Sequence, residues 1–255
     1  MTRKMEEQVV LISGAGRGLG ASIARAFARE GARVVLNYRR SKEQAEALAA
    51  ELGPRAFPVC ADVRDRGQVR SMVAQVTEAF GAPTTVVHNA LAADFLFNGD
   101  QRTALKAMDW SELNLHFTTA VQGALHLIQE TSEAMKENGF GRFIHIGTNL
   151  FQNPVVPYHD YTASKAALLS LTRTAAVELG PEGITVNMVS GGLLRSTDAS
   201  AATPNEVFDY IANATPLRSV TTPDELADTV LFFASPWGRA VTGQNLVVDG
   251  GLVFT

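Results

Sequence analysis

Short apolar runs alternate with longer amphipathic stretches along the whole chain. The runs at residues 9–13, 33–37, 56–60, 84–88, 141–147, 184–190 and 245–248 are rich in Val and Ile and too short for helices, so they predict strands. The stretches between them are long enough for helices. Glycines follow Glu30, Leu52, Phe80 and Leu179, where a left-handed cap ends a helix at little cost, and Pro54 and Pro181 reinforce two of these stops. Strands alternating with helices predict an α/β fold: a parallel sheet of about seven strands with helices on both faces.

Composition narrows the picture. The 255 residues, 46% of them hydrophobic, suit a single domain over 1–255. A net charge of -4, with no basic run longer than Tyr38-Arg39-Arg40, argues against nucleic acid as a partner. Residues 1–7 are too charged for a signal peptide, and no apolar run has the ~20 residues of a spanning helix, so no membrane is expected. The lone cysteine, Cys60, excludes an intrachain disulfide and lies in an apolar run that reads as buried. A cytoplasmic protein without a metal is expected.

The candidate chemistry centres on Tyr161, Lys165 and Thr148. Tyr161 and Lys165 are four apart in a predicted helix over 161–179, so their side chains share one face. An ammonium beside a phenol favours the phenolate and brings the tyrosine toward useful acid/base behaviour. Thr148 follows the strand at 141–147, at the carboxyl edge where open α/β sheets place ligands, and its hydroxyl can donate to a carbonyl oxygen. Together they describe a site that holds a C=O, protonates its oxygen and needs a hydride.

A seat for the hydride donor lies after the first strand. The loop Ser13-Gly14-Ala15-Gly16-Arg17-Gly18-Leu19-Gly20 joins strand to helix, the context in which glycines let a pyrophosphate approach a helix N-terminus. The second strand ends in Asn37-Tyr38-Arg39-Arg40 with no acid before Glu43, so no carboxylate is offered to a ribose 2′-hydroxyl. Arg39 and Arg40, with Arg17, suit a 2′-phosphate, which favours NADPH/NADP+ over the NAD pair. Asp62, before Val63, can accept from the adenine amino group, and Asp62 or Asp65 can equally cap the next helix. His88 precedes Asn89-Ala90 at the end of the fourth strand and reads as a hydrogen-bonding strand-end residue.

In this order, the glycine loop, Asp62-Val63, Asn89-Ala90, Tyr161-x-x-x-Lys165 and the closing run 241–251 resemble the short-chain dehydrogenase/reductase family over nearly the whole length. Within it the chain looks most like the 3-oxoacyl-[acyl-carrier-protein] reductases. The resemblance implies a Rossmann-type, doubly wound single domain, with Tyr161 as catalytic acid/base, Lys165 tuning it and bonding the nicotinamide ribose, and Thr148 in place of the usual serine. It also places Gly192 and Leu194 beside the nicotinamide. Segment 193–222, with a helix start at Thr203-Pro204-Asn205-Glu206, is expected to cover the substrate; Phe208, Tyr210 and Leu217 are candidates for its lining.

The chain departs from that family at several points. Leu91 stands for the glycine after Asn-Ala, His88 for a common asparagine, and Gly191-Gly192 for Pro-Gly, which removes a rigid φ. The family's proton-relay asparagine falls near Ala120, flanked by Thr118 and Thr119, so either a threonine supports the relay water or proton supply takes another route. Asn114, six residues earlier, lies about 240° around a helix and does not inherit the role. Helices over 104–138 and 161–179 carry apolar residues on more than one face, and the resemblance implies that they build dimers or tetramers, a homotetramer being the leading expectation.

The expected activity is NADPH-dependent reduction of a 3-oxoacyl thioester, with an acyl carrier protein as a possible partner. Reduction of a small ketone or oxidation of a secondary alcohol is the alternative, and a non-catalytic nucleotide-binding protein is a third reading.

Overall fold

The structure, a computed structural model, describes residues 2–92, 97, 102–195 and 197–254. Seven parallel strands form one sheet: β1 (Val9–Ser13), β2 (Arg33–Tyr38), β3 (Ala56–Cys60), β4 (Thr85–His88), β5 (Gly141–Thr148), β6 (Ile184–Gly191) and β7 (Asn245–Val248). Their order is β3-β2-β1-β4-β5-β6-β7, so the winding direction reverses between β1 and β4. That reversal opens a crevice at the carboxyl ends of the two strands, where Ser13 is paired with His88.

Alternation along each strand divides the core in two. Val10, Ile12, Val34, Leu36, Ile144 and Ile146 face α1 (Gly18–Arg29) and α8 (Pro223–Ala234), which pack against each other on the same side of the sheet, meeting Ile23, Phe27, Val230 and Phe233. Val9, Leu11, Val35, Val86 and Phe143 face α3 (Arg66–Phe80), α5 (Gly123–Glu137) and α6 (His159–Leu179). The remaining helices are α2 (Lys42–Leu52), α4 (Trp110–Phe117) and α7 (Asn205–Ala214). Among the described residues no helix is long and apolar enough to cross a membrane.

Three local expectations are corrected. The helix expected over 104–138 is broken into a 3₁₀ turn at Leu105–Ala107, α4, a π-turn at Thr118–Gln122 and α5. Asp109 starts α4 afresh, accepting from Ser111 N–H while Glu112 reaches back to its backbone in a capping box. Cys60 is exposed, because β3 is an edge strand and only β2 flanks it. Gly31, Gly53 and Gly81 take the positive φ expected of them, although Gly53 and Gly81 have extended ψ (-160 and 167) in place of the left-handed helical value, and Gly180 is right-handed (φ -55) and runs into a 3₁₀ turn, so that the left-handed residue is Gly183 (φ 79).

Candidate functional site

The crevice is a cavity of about 1040 Å³. Its lining includes every residue singled out above for chemistry or cofactor binding, from Gly14, Arg17, Gly18, Leu19 and Gly20 at one end to Thr148, Tyr161 and Lys165 at the other. Asn37, Arg39, Arg40, Asp62, Val63, Asn89, Ala90, Gly192 and Leu194 lie between or around them.

At the glycine end the backbone dictates the residues. Gly14 and Gly18 have φ of 66 and 52, the left-handed region that favours glycine. A Cβ on Gly20 would stand 2.2 Å from the Gly14 carbonyl oxygen, so only glycine lets α1 start so close under the loop. No side chain caps the first turn of α1, whose N–H groups are left to serve an anion. Asn89 holds the loop from below by donating to the carbonyls of Ser13 and Gly14, each at 3.1 Å. The cradle fits a dinucleotide pyrophosphate.

Around the second strand the expected contacts divide. Arg17, Arg39 and Arg40 all line the cavity. Arg39 lies 3.5 Å from Asp62 and Arg17 lies 3.5 Å from Asp198 of the covering segment. Asn37 spends its amide on the carbonyls of Ala61 (3.0 Å), Val59 and Tyr38, so its role is to join strand ends. Asp62 accepts from Arg64, which with further help from its backbone N–H and Arg39 holds the carboxyl down at about 2. The cap of α3 is Asp65, accepting from Gly67 and Gln68.

At the other end, Thr148 terminates β5, paired with Gly191 of β6. Its oxygen accepts from Leu150 N–H at 3.3 Å, and its O–H donates to the phenolic oxygen of Tyr161. Lys165, 3% exposed, donates to the Ile146 carbonyl at 2.6 Å and lies 5.8 Å from the centre of the Tyr161 ring. Burial pushes Tyr161 up to about 12 against the lowering effect of Thr148, with Tyr158 adding to the rise. This is opposite to the expected lowering by Lys165: burial dominates, and that ammonium is itself held down at about 8 by desolvation.

The covering segment lines the cavity through residues that include Val207, Tyr210 and Ile211, but not through all three of the expected side chains. Tyr210 lines the cavity, but Phe208 is buried beneath Arg195. Leu217 lines a separate hollow with Leu246 and Phe254. Ser196, within this segment, lies outside the described residues. The glycine pair after β6 is explained by packing: a Cβ on Gly191 would stand 2.6 Å from Leu226 Cδ1, and one on Gly192 would press on Asp249 and Asn149, which bond each other at 2.9 Å.

Four residues at the site carried no role in the sequence reading. Phe97 and His116 both set ring edges against Tyr161, at 5.5 and 5.9 Å between centroids. His116 Nε2 lies 3.5 Å from Asp160 Oδ2. Ser13 and His145 are buried beneath the cleft. Ser13 opens the glycine loop, whereas Phe97, His116 and His145 belong to no local spacing pattern and reach the site from separate segments.

Among known proteins, a family model described as enoyl-(acyl carrier protein) reductase matches residues 14–253. The 3-oxoacyl-[acyl-carrier-protein] reductase FabG of Staphylococcus aureus (strain Mu50 / ATCC 700699) is 33% identical over 246 residues, covering 95% of this chain and 96% of that protein. L-rhamnose 1-dehydrogenase (NAD(P)(+)) of Azotobacter vinelandii (strain DJ / ATCC BAA-1303) is 34% identical over 258 residues, 96% of each. A blue fluorescent protein from a metagenomic library, solved in complex with NADPH, superimposes with a TM-score of 0.87 at 33% identity, over 99% of this chain and 100% of that one.

Proposed function

The chain belongs to the short-chain dehydrogenase/reductase family, and from that premise we propose that it is an NADPH-dependent carbonyl reductase acting on a 3-oxoacyl thioester. The observation that carries the reading is that Thr148, Tyr161 and Lys165 share one cavity with a glycine cradle and three arginines. NADPH, when bound, supplies a hydride to the carbonyl carbon. Thr148 turns its hydroxyl from the Tyr161 oxygen to the substrate carbonyl oxygen and orients it, and Tyr161 donates the proton that completes the alcohol. With burial holding its phenol up at about 12, Tyr161 is protonated throughout the neutral range, the form that reduction requires. Lys165 opposes that burial as the phenolate develops.

The wall beyond Tyr161 supports an acyl substrate. Val155, Val156, Val207 and Ile211 line the same cavity as Tyr161, an apolar set that suits an acyl chain. Two exposed guanidinium groups, of Arg102 over Tyr158 and Arg195 over Phe208, stand near the cleft and suit an acidic carrier protein. The relative of the same activity class is consistent with this choice. A homotetramer is part of the proposal, supported by exposed Trp110, Leu115, Leu125 and Val177 on α4, α5 and α6.

The same apolar wall favours one second reading, reduction of a small free ketone that needs no carrier. Initial rates with a short 3-oxoacyl thioester and with matched free ketones, each with NADPH and NADH, separate the two. Turnover of the thioester with NADPH supports the first reading; turnover of free ketones alone selects the second.

A further inference from the structure

His88 ends β4 opposite Ser13 and is 1% exposed. Its Nδ1 lies 3.0 Å from Ser13 Oγ, and its Nε2 lies 3.1 and 3.0 Å from the carbonyl oxygens of Thr119 and Ala120. These partners decide the tautomer. Ser13 Oγ accepts from the N–H groups of Asn89 and Ala90, each at 3.0 Å, which uses both of its lone pairs and sends its own hydrogen to Nδ1. Nδ1 is therefore an acceptor, and the single ring proton sits on Nε2, shared between two carbonyls. A second proton on Nδ1 would face the Ser13 hydrogen, and burial in any case holds the ring down at about 3.

The two carbonyls belong to the π-turn at Thr118–Gln122, where the regular helical ladder is interrupted. Thr119 lines the cleft, and Ala120 packs on Leu168, three residues beyond Lys165 on α6. The seat is shaped for an imidazole: a Cβ on Gly123 would stand 3.1 Å from His88 Cε1 and 2.9 Å from Val63 Cγ2. Two departures noted in the sequence, the histidine before Asn89 and the absent asparagine near position 120, thus meet in one hydrogen-bonded contact.

We infer that His88 is a positioning residue for carbonyl reduction: its Nε2–H clamps the π-turn to the end of β1 and so fixes the wall of the cleft beside Tyr161 and the Lys165 face of α6. The inference rests on the reductase reading above. The clamp and the Ser13 contact can be separated by substitution. His88→Asn keeps an amide near the Nδ1 position but stops short of the carbonyls, whereas His88→Gln carries its amide N–H to about the place of Nε2.

The test pairs kinetics with the ¹⁵N spectrum of histidine-labelled protein. The expected result is that His88→Asn loses about tenfold or more in kcat, while NADPH affinity stays within about threefold and His88→Gln keeps kcat within about threefold. The unsubstituted protein should show a neutral Nε2–H ring at His88 that does not titrate from about pH 5 to 9. Undiminished kcat in a folded His88→Asn, an Nδ1–H ring, or titration near neutrality would overturn the inference. The spectrum decides even where a variant fails to fold. Failure of the unsubstituted protein to reduce any carbonyl would remove the reductase reading and leave the clamp to be judged by the ring's tautomer.

Discussion

Lys165 donates to the carbonyl oxygen of Ile146 at 2.6 Å, which ties the middle of α6 to the strand that ends at Thr148. The bond fixes the relative height of Tyr161 and Thr148, one turn before Lys165 and two residues after Ile146. It also buries an ammonium, and that burial has a measurable cost.

Lys165→Met should be more stable than the unsubstituted protein near pH ~7, by about 1–3 kcal/mol, because a buried charge is removed. It should also reduce its substrate about a hundredfold more slowly or worse. The folded-state value of Lys165 is about 8, against 10.5 ordinarily. Between these the unfolded chain holds more protons, so the unsubstituted protein gains stability as pH rises and the advantage of the variant shrinks. Tyr161 acts in the opposite direction at higher pH: raised from 10.0 to about 12, its contribution is full below 10.0 and is lost as pH rises through about 12. Urea unfolding near pH ~7 and ~9.5 checks the first of these windows.

Arg39→Ala and Arg40→Ala should each weaken NADPH binding about tenfold and leave NADH within about threefold, as loss of a charge-assisted bond to a 2′-phosphate requires. Titration calorimetry with both dinucleotides measures it. Equal weakening for both would assign the arginines to some other part of the cofactor.

Thr148→Val keeps the shape and removes the hydroxyl that donates to Tyr161. The expected loss is about 10²-fold in kcat, with Thr148→Ser recovering most of it. The kcat and KM of both variants on one substrate test whether the hydroxyl or the methyl group is the part that matters.

Gly20→Ala should displace the loop, since its Cβ would meet the Gly14 carbonyl oxygen at 2.2 Å and Asn89 Nδ2 at 2.7 Å. Dinucleotide affinity should fall by about tenfold or more, read by fluorescence titration, while far-UV circular dichroism stays close to that of the unsubstituted protein.

The strands and the ends of the cleft could be read from the sequence because their signals are local: short continuous apolar runs, a glycine loop between strand and helix, and Tyr161 four residues before Lys165. The missed features depend on distant partners. The π-turn at Thr118–Gln122 is bonded by His88, some thirty residues earlier in the chain, and nothing in its own composition marks it. Cys60 looked buried in an apolar run, but strand order puts β3 at the edge. The direction of the Tyr161 shift could not be foreseen from spacing: Lys165 was read as the partner of the phenol, whereas the fold adds burial and turns the ammonium toward Ile146.

The most direct test of the central claim is the rate of NADPH oxidation with a short 3-oxoacyl thioester by the unsubstituted protein and by Tyr161→Phe. The account predicts thioester-dependent oxidation that falls by about 10³-fold or more in the variant, with NADPH affinity unchanged. Turnover that survives the loss of the phenol would contradict it.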